Sequence, residues 1–508
     1  MKYTIIILFG VLSTFSSFAQ PSIEWQKCLG STADDYANAI VQTFDNGYAV
    51  IGTTADSSNG DVTGTHGYGD LWLAKLSSSG SLQWEKAVGG SRTEIGSCVR
   101  QTADSGYIVC GYSESNDGDV SGNHGSFDYW VVKLSSSGNI QWQRSYGGSL
   151  DEYANSIRQT SDGGYIIVGT GGSTDGDVTG SVYRGYWVVK ISPLGDIQWQ
   201  KSFGGNLGGT ANSVAQTIDS GYILAGVTES NIGDAADNHG LQDSWIVKLS
   251  SAGNVQWKRC YGGSGNDEAH SIIQTIDGGY LFAGYSNSTD GDVSGNHGYY
   301  DVWVVKLSSL GIIQWQRSHG GLGADEAFSV WQTADSNYAI AGFSNTGESL
   351  TDITHGAGDG WLVQLSSTGD LIWQSCLGGS NQDKIFSMQQ VADHGFIAAG
   401  YTASNYGDVS GLHGTRDYWV VKLAALSGIN ETPPSSLVTI APNPTTSLIS
   451  IQGTENATIK ICNILGQPIK EEHNTTTISI ADCPPGMYFI SIFNQQGLLL
   501  KQDKIIRQ

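Results

Sequence analysis

Basic residues and proline are scarce in this sequence, and each shortage closes off a class of protein. Lys and Arg number 25 against 48 Asp and Glu, and the resulting charge of −23 repels phosphate backbones and anionic lipid. No nucleic acid partner is expected. Only 9 prolines accompany 69 glycines among 508 residues, which excludes Pro-rich disorder and collagen while supplying turns in abundance. Helical periodicity is missing as well, because no stretch between glycines sustains apolar residues at i, i+3, i+4 and i+7. HExxH, phosphate-loop and Cys-x-x-Cys signatures are absent. Beyond the first twenty residues no apolar run is long enough to span a bilayer.

What is present begins with an export signal. Lys2, the apolar run Ile5 to Val11 and the small residues Ser17 and Ala19 predict a leader over 1–19, cleaved after Ala19. Ser13 to Ser17 interrupt the run too early for an anchor. An exported chain can form disulfides, yet seven cysteines at scattered positions do not read as a stapled framework. Cys28, Cys260 and Cys376 each follow a Trp by three residues and read as small core residues, whereas Cys98 with Cys110 and Cys462 with Cys483 stay open as pairs.

A chain of this length needs several cores or a repeat. Trp25, Trp84, Trp142, Trp199, Trp257, Trp315 and Trp373 recur every 57 to 59 residues, and Trp72, Trp130, Trp187, Trp245, Trp303, Trp361 and Trp419 keep step with them. Each unit shows four strands: Ala154 to Thr160, Tyr165 to Gly169, Tyr186 to Ile191 and Ile197 to Lys201 are one set, with tight turns at Asp162-Gly163-Gly164 and Pro193-Leu194-Gly195. Four-stranded repeats of this size imply an all-β, seven-bladed β-propeller over 20–423. The seventh repeat stops after its third strand, so residues 22–28 are predicted to pair with 417–423 and close the ring, which would be monomeric.

The tail Leu134-Ser135-Ser136-Ser137-Gly138-Asn139-Ile140-Gln141-Trp142 resembles that of quinoprotein-type repeats, where it packs blades. The WD signature is missing, and the Gly-to-Trp spacing does not fit the sialidase Asp-box. As a whole the unit resembles the outer-surface type of bacterial propeller repeat, which implies a fold and no particular activity.

After Leu423 the composition changes. Residues 424–436, with Pro433-Pro434, form a linker. Short alternating strands follow over 437–508, as expected of a small antiparallel β-sandwich. Pro442, Asn443 and Pro444, then Gly466, then Gly486 and Tyr488, then Lys504 before Ile505-Ile506, stand in the order of the type A C-terminal sorting domain of the type IX secretion (Por) system, which this segment resembles. The resemblance implies a Bacteroidota host, the type IX machinery as partner, and removal of the domain as the protein is released or attached at the cell surface.

Catalysis by a nucleophile needs its base and orienting acid at unique positions, whereas almost every polar feature here recurs around the ring. No catalytic residue is assigned. The expected function is a secreted or cell-surface binding or adhesion protein for a glycan or protein ligand, with a polysaccharide-processing enzyme or a purely structural surface protein as alternatives. In a blade A-B-C-D the B–C loops and D–A links share one face, and the loops there are long, as from Ser113 to Phe127. Ligands are expected on that face.

No cofactor is indicated; Asp117 and Asp119 beside Gly118 suit calcium, but they suit an ordinary turn better, and blade 6 displaces the Asp to Asp352. Six of the ten histidines occupy one loop position, each followed four residues later by Asp: His66 and Asp70, His124 and Asp128, His239 and Asp243, His297 and Asp301, His355 and Asp359, His413 and Asp417. One His per blade falls short of a zinc site. Ten residues after each first-series Trp stands an acid on the link into the next blade: Asp35, Glu94, Glu152, Asp267, Asp325 and Asp383. Only Gly209 breaks this series, at the junction whose preceding blade has Ser181 and Gly185 in place of His and Asp. The joint loss implies an interblade cluster in which each His lies between its own Asp and the link acid, with a raised pKa that loosens the ring as pH rises. Tyr183 and Arg184 mark the exceptional junction as a candidate ligand sector.

Overall fold

The computed structural model describes residues 20–55, 58–180, 184–345, 355–425, 439–441, 445–452, 457–462, 468–493 and 499–507. The leader at 1–19, nearly all of the linker, Ser181, Tyr183, Asp352, Pro442, Asn443, Pro444 and Gly466 lie outside the described residues. Contacts divide the chain into two units between Leu426 and Ser427. Among the described residues no helix is long and apolar enough to cross a membrane.

In the first unit four strands, a to d in chain order, recur as antiparallel sheets. The second sheet is representative, with Glu94–Gln101, Tyr107–Ser113, Asp128–Leu134 and Ile140–Tyr146 paired in that order. Equivalent sheets start at Asp35, Glu152, Gly209, Asp267 and Asp325. The last contains Asp383–Gln390, Phe396–Thr402 and Asp417–Leu423, and its fourth place is taken by Ile23–Leu29, antiparallel to Asp417–Leu423 with Cys28 opposite Trp419.

Residue type explains each strand's place. Strand c, such as Asp128–Leu134, is buried at every position and is correspondingly apolar over Tyr129 to Val132, between Asp128 and Lys133. Strand a alternates buried and half-buried residues, and strand d exposes much of its length as the sheet edge. Cores form between sheets: Cys110 and Val131 of the second meet Ile157, Ile167 and Trp187 of the third, and Val50 and Trp72 of the first meet Ile397 and Val420 of the last. A buried indole removes roughly 200 Å² from water, on the order of 5 kcal/mol of transfer free energy.

Polar bonds repeat the same adjacency. The Tyr129 hydroxyl donates to the Trp187 carbonyl at 3.0 Å, and Tyr418 does the same to Trp72. Strand a of each sheet ends in Gln, whose Oε1 accepts the turn amide of the preceding sheet, as Gln159 accepts Ala103 N at 3.0 Å. The c–d turn glycine Gly138, at φ 79°, lies against the Trp84 ring, where a Cβ would come within 2.9 Å of it. That contact is what the Gly-x-x-x-Trp tail provides. Each strand a touches the strand a of the next sheet, and Asp35–Gln42 touches Asp383–Gln390.

Turns between strands a and b are fixed by a buried lysine. Lys133 Nζ reaches Asp104 at 3.0 Å and the Leu134 carbonyl at 3.1 Å. Burial acts to raise the Asp104 pKa, but the Thr102 hydroxyl, the Lys133 ammonium and the Gly106 amide prevail and hold it at about 2. The sixth sheet has Gln364 in place of this lysine.

In the second unit two antiparallel sheets share one core. Thr439–Ala441, Leu448–Gln452 and Thr477–Ser479 form one; Pro468–Thr475, Ala457–Cys462, Gly486–Phe493 and Leu499–Arg507 form the other. Ile449, Ile459, Ile478, Ile490 and Ile505 meet between them with Tyr488.

Candidate functional site

Each loop histidine reaches its own-sheet aspartate. Nδ1 of His124, His239 and His413 lies 2.7 Å from Oδ2 of Asp128, Asp243 and Asp417, and His297 lies 2.8 Å from Asp301. His66 with Asp70 and His355 with Asp359 are longer, at 3.3 Å. In every case the histidine's backbone N–H donates to the same oxygen, as His124 N does to Asp128 at 2.9 Å. The i, i+4 spacing thus closes a loop onto the start of strand c.

The link acids take their bonds elsewhere than from these histidines. Glu152 accepts the amides of Gly148, Gly172 and Ser173 at 2.8, 3.0 and 2.8 Å. Asp267 and Asp383 accept Gly263 N and Gly379 N together with two hydroxyls each. Glu94 accepts Gly90 N and the Ser113 hydroxyl, Asp35 accepts Ser31 N, and Asp325 accepts Gly321 N. Each link acid nevertheless stands beside the strand c aspartate, across a glycine: a Cβ on Gly147 would lie 2.5 Å from Asp128 Oδ1 and 2.6 Å from Glu152 Oε2.

The second carboxylate facing the histidine comes instead from the next sheet's loop. Nε2 of His66, His124 and His413 is 3.9 Å from Asp119, Asp177 and Asp61. The expected sandwich of His between Asp and link acid is corrected accordingly: the histidine joins two loops, and the two inner acids face each other. The Gly-Asp pair in six of the seven loops carried the signal, but it also fits calcium. In the structure Asp117 accepts Ser91 N at 2.8 Å and Asp119 faces Gly89 N at 3.4 Å. Among the described residues no group of three or more His, Cys, Asp or Glu side chains is arranged to hold a metal.

Burial governs the inner acids. It raises Asp128 to about 6, against hydrogen bonding from His124 and with the Glu152 charge raising it further. Asp70, Asp243, Asp301 and Asp359 are raised for the same first reason. His239 is also raised: burial opposes this, and the Asp243 bond and charge override it.

A second constellation was missed in the sequence because it occupies positions where the repeats differ. The second residue of strand a, the sixth of strand b and the residue before the strand c aspartate meet on the b–c loop face. In the fifth sheet these are Glu268, Tyr285 and Tyr300; in the last, Lys384, Tyr401 and Arg416. Glu268 accepts the Tyr285 hydroxyl at 2.6 Å and Asn212 Nδ2 at 3.1 Å, with His270 Nε2 3.7 Å away. Lys384 Nζ is 3.3 Å from Glu326 and 4.3 Å from the Phe343 ring centre. Arg416 lies 5.7 Å from both Tyr36 and Tyr401, and Tyr112, Phe127 and Tyr153 form a third aromatic group. Arg184, of the expected ligand sector, pairs with Asp151 at 3.2 Å. Comparing repeat positions for variation, rather than for recurrence, would have found this set.

Of the cysteines, Cys98 and Cys110 stand opposite one another in register and are both buried, Cys483 is buried and Cys462 half-buried, and all four carry free thiols. In the second unit the Tyr488 hydroxyl donates to the Pro484 carbonyl at 2.7 Å beside Gly486, and Lys504 pairs in register with Phe489.

Residues 439–508 match the family described as the secretion system C-terminal sorting domain. No curated protein matches the sequence. Among solved structures the chain is similar to Sqt1 from Chaetomium thermophilum at 13% identity and TM-score 0.40, covering 73% of this chain and 82% of that one. It is similar to PorZ, a surface component of the type IX secretion system of Porphyromonas gingivalis, at 10% identity and TM-score 0.30, covering 86% and 63%. A Bombyx mori GH32 β-fructofuranosidase is similar at 11% identity and TM-score 0.28, covering 70% and 87%. The chain therefore combines an all-β unit of repeated, propeller-like sheets with a type IX sorting domain, and is a secreted or cell-surface protein.

Proposed function

We propose that the first unit is a closed seven-bladed propeller that binds an extracellular glycan on its b–c loop face. Ring closure is supported by Ile23–Leu29 completing the last sheet and by the neighbouring first and last a strands. In this reading residues 1–19 are removed on export, 424–436 link the units, and 437–508 address the chain to the type IX machinery of a Bacteroidota-type host before being cleaved.

One observation carries the binding reading: the repeats differ from one another where Glu268, Tyr285, Glu326, Phe343, Lys384 and Arg416 gather, while Gln at the end of strand a stays fixed in every sheet. Aromatic rings offer faces for the C–H side of a sugar, and flanking carboxylates and cations bond its hydroxyls. A hydrolytic reading would recruit Glu268 and Glu326, but Glu268 is engaged by Tyr285 and Asn212 and Glu326 by Lys384. The six His-Asp pairs serve as loop fasteners in this account. Screening the full chain against an array of bacterial and host polysaccharides tests it: selective retention of a glycan class is expected, and retention of none, with turnover or with protein ligands only, would overturn it.

A further inference from the structure

The strand c aspartates hold an oxygen that the fold leaves without a hydrogen-bond donor. Asp70, Asp128, Asp243, Asp301 and Asp359 are each fully buried, and Oδ1 of each has no hydrogen-bond partner although Oδ2 takes both bonds from the loop histidine. A buried oxygen of this kind normally costs about 1–3 kcal/mol, and it recurs at five junctions. Its neighbour is the link acid. Across Gly89, Gly147, Gly262, Gly320 and Gly378 the orphan oxygen and one link-acid oxygen each lie 2.3–2.8 Å from the point where a Cβ would sit. Glycine is required there because any side chain would drive the two acids apart.

Two carboxylates buried beside the same glycine repel each other when both are charged, which favours a proton on one of them. The ionisable groups facing Asp128 are His124 from its own loop, bonded to the other oxygen, Glu152 from the link and, beyond His124, Asp177 from the next loop. None supplies a donor to Oδ1. The link acids already accept two or three amides or hydroxyls in most copies, so the missing donor belongs on the aspartate.

We propose that at mildly acidic pH these five junctions each hold one proton between the strand c aspartate and the link acid, so that adjacent sheets are fastened by a carboxylic acid to carboxylate hydrogen bond. Oδ1–H of the aspartate donates, the link acid accepts, and the histidine N–H groups occupy Oδ2. The last junction is a variant, because Asp417 Oδ1 accepts Gly414 N at 3.1 Å and the orphan oxygen is Asp35 Oδ1. At the third junction Gly185 and Gly209 replace both acids, which leaves one junction of the ring insensitive to pH. The proposal does not depend on the glycan reading.

The sign follows from linkage. Asp128 has a folded value of about 6 against an ordinary 3.8, so its contribution is complete below the ordinary value and is lost as pH rises through about 6. Asparagine reproduces the protonated aspartate, with Nδ2 as donor and Oδ1 as acceptor. The test uses the full chain, whose tryptophans all lie before residue 424, so that fluorescence reads the first unit alone. Infrared difference spectra between about pH 5 and pH 8 should show the carbonyl stretch of protonated carboxyl groups at the lower pH, weakened by one junction's share in Asp128→Asn. The urea midpoint of Asp128→Asn at about pH 8 should equal or exceed that of wild type, whereas Asp370→Asn, at an exposed carboxylate, should follow wild type at every pH. Absence of the protonated band in wild type, or an Asp128→Asn midpoint equally far below wild type at about pH 5 and pH 8, would overturn the proposal.

Discussion

The backbone N–H of Ala392 donates to Oε1 of Gln42 at 3.0 Å across 350 residues of chain. It is the same bond that Ala103 makes to Gln159 and Ile276 to Gln332 between consecutive sheets. The first and last sheets are thus joined by the same bond as any neighbours.

If Ile23–Leu29 completes the last sheet, deleting residues 20–29 exposes the edge of Asp417–Leu423, a strand buried at every position. Open apolar edges recruit other chains. Size-exclusion chromatography should show dimers or aggregates in place of monomer, and an unchanged monomer with unchanged urea midpoint would contradict the pairing.

Asp104→Ala should destabilise the first unit by about 1–3 kcal/mol, since it leaves the buried Lys133 ammonium short of its carboxylate while Asp104's own exposure keeps the loss below that of a fully buried pair. Lys133→Met should cost less. Because Asp45, Asp104 and Asp219 are lowered to about 2, this stability is present above their ordinary value and disappears as pH falls towards 2. Urea midpoints of the two variants across the acidic range check both the order and the sign.

Gly147→Ala places a Cβ 2.5 Å from Asp128 Oδ1, whereas the nearest atom to a Cβ on Gly208, on the link that lacks acids, is 3.8 Å away. The first substitution should cost on the order of 2 kcal/mol and the second well under 1. Thermal unfolding of the pair followed by fluorescence reads the difference, and equal losses would mean that the acid pair imposes no special constraint.

The strands were legible because Trp recurs at fixed spacing and strand c is a plain apolar run, so period and composition agree. The place of residues 22–28 followed from a missing fourth strand, and Cys28 does stand opposite Trp419. The site was harder to read. Coincident loss at Gly185 and Gly209 pointed to a grouping of the acids, but one dimension of sequence does not reveal which acids stand beside each other at Gly147 and which side chain faces outward to Asp177. Glu268, Glu326 and Lys384 are not legible from recurrence, because their information lies in not recurring.

Removal of residues 437–508 should leave the first unit folded but held in the periplasm, since the sorting match lies wholly within that segment. Cell fractionation with an antibody to the first unit reads the outcome. Undiminished surface or culture-fluid protein would show that export does not depend on this segment.

The most direct test of glycan binding at the b–c loop face measures the Kd of the array-selected polysaccharide for wild type, Lys384→Ala, Tyr285→Ala and Ile218→Ala. Ile218 is 92% exposed on an a–b turn of the opposite face. Lys384→Ala and Tyr285→Ala should each weaken binding about tenfold or more, with Ile218→Ala unchanged. Loss of affinity in Ile218→Ala with the other two unaffected would place the ligand on the wrong face and contradict the account.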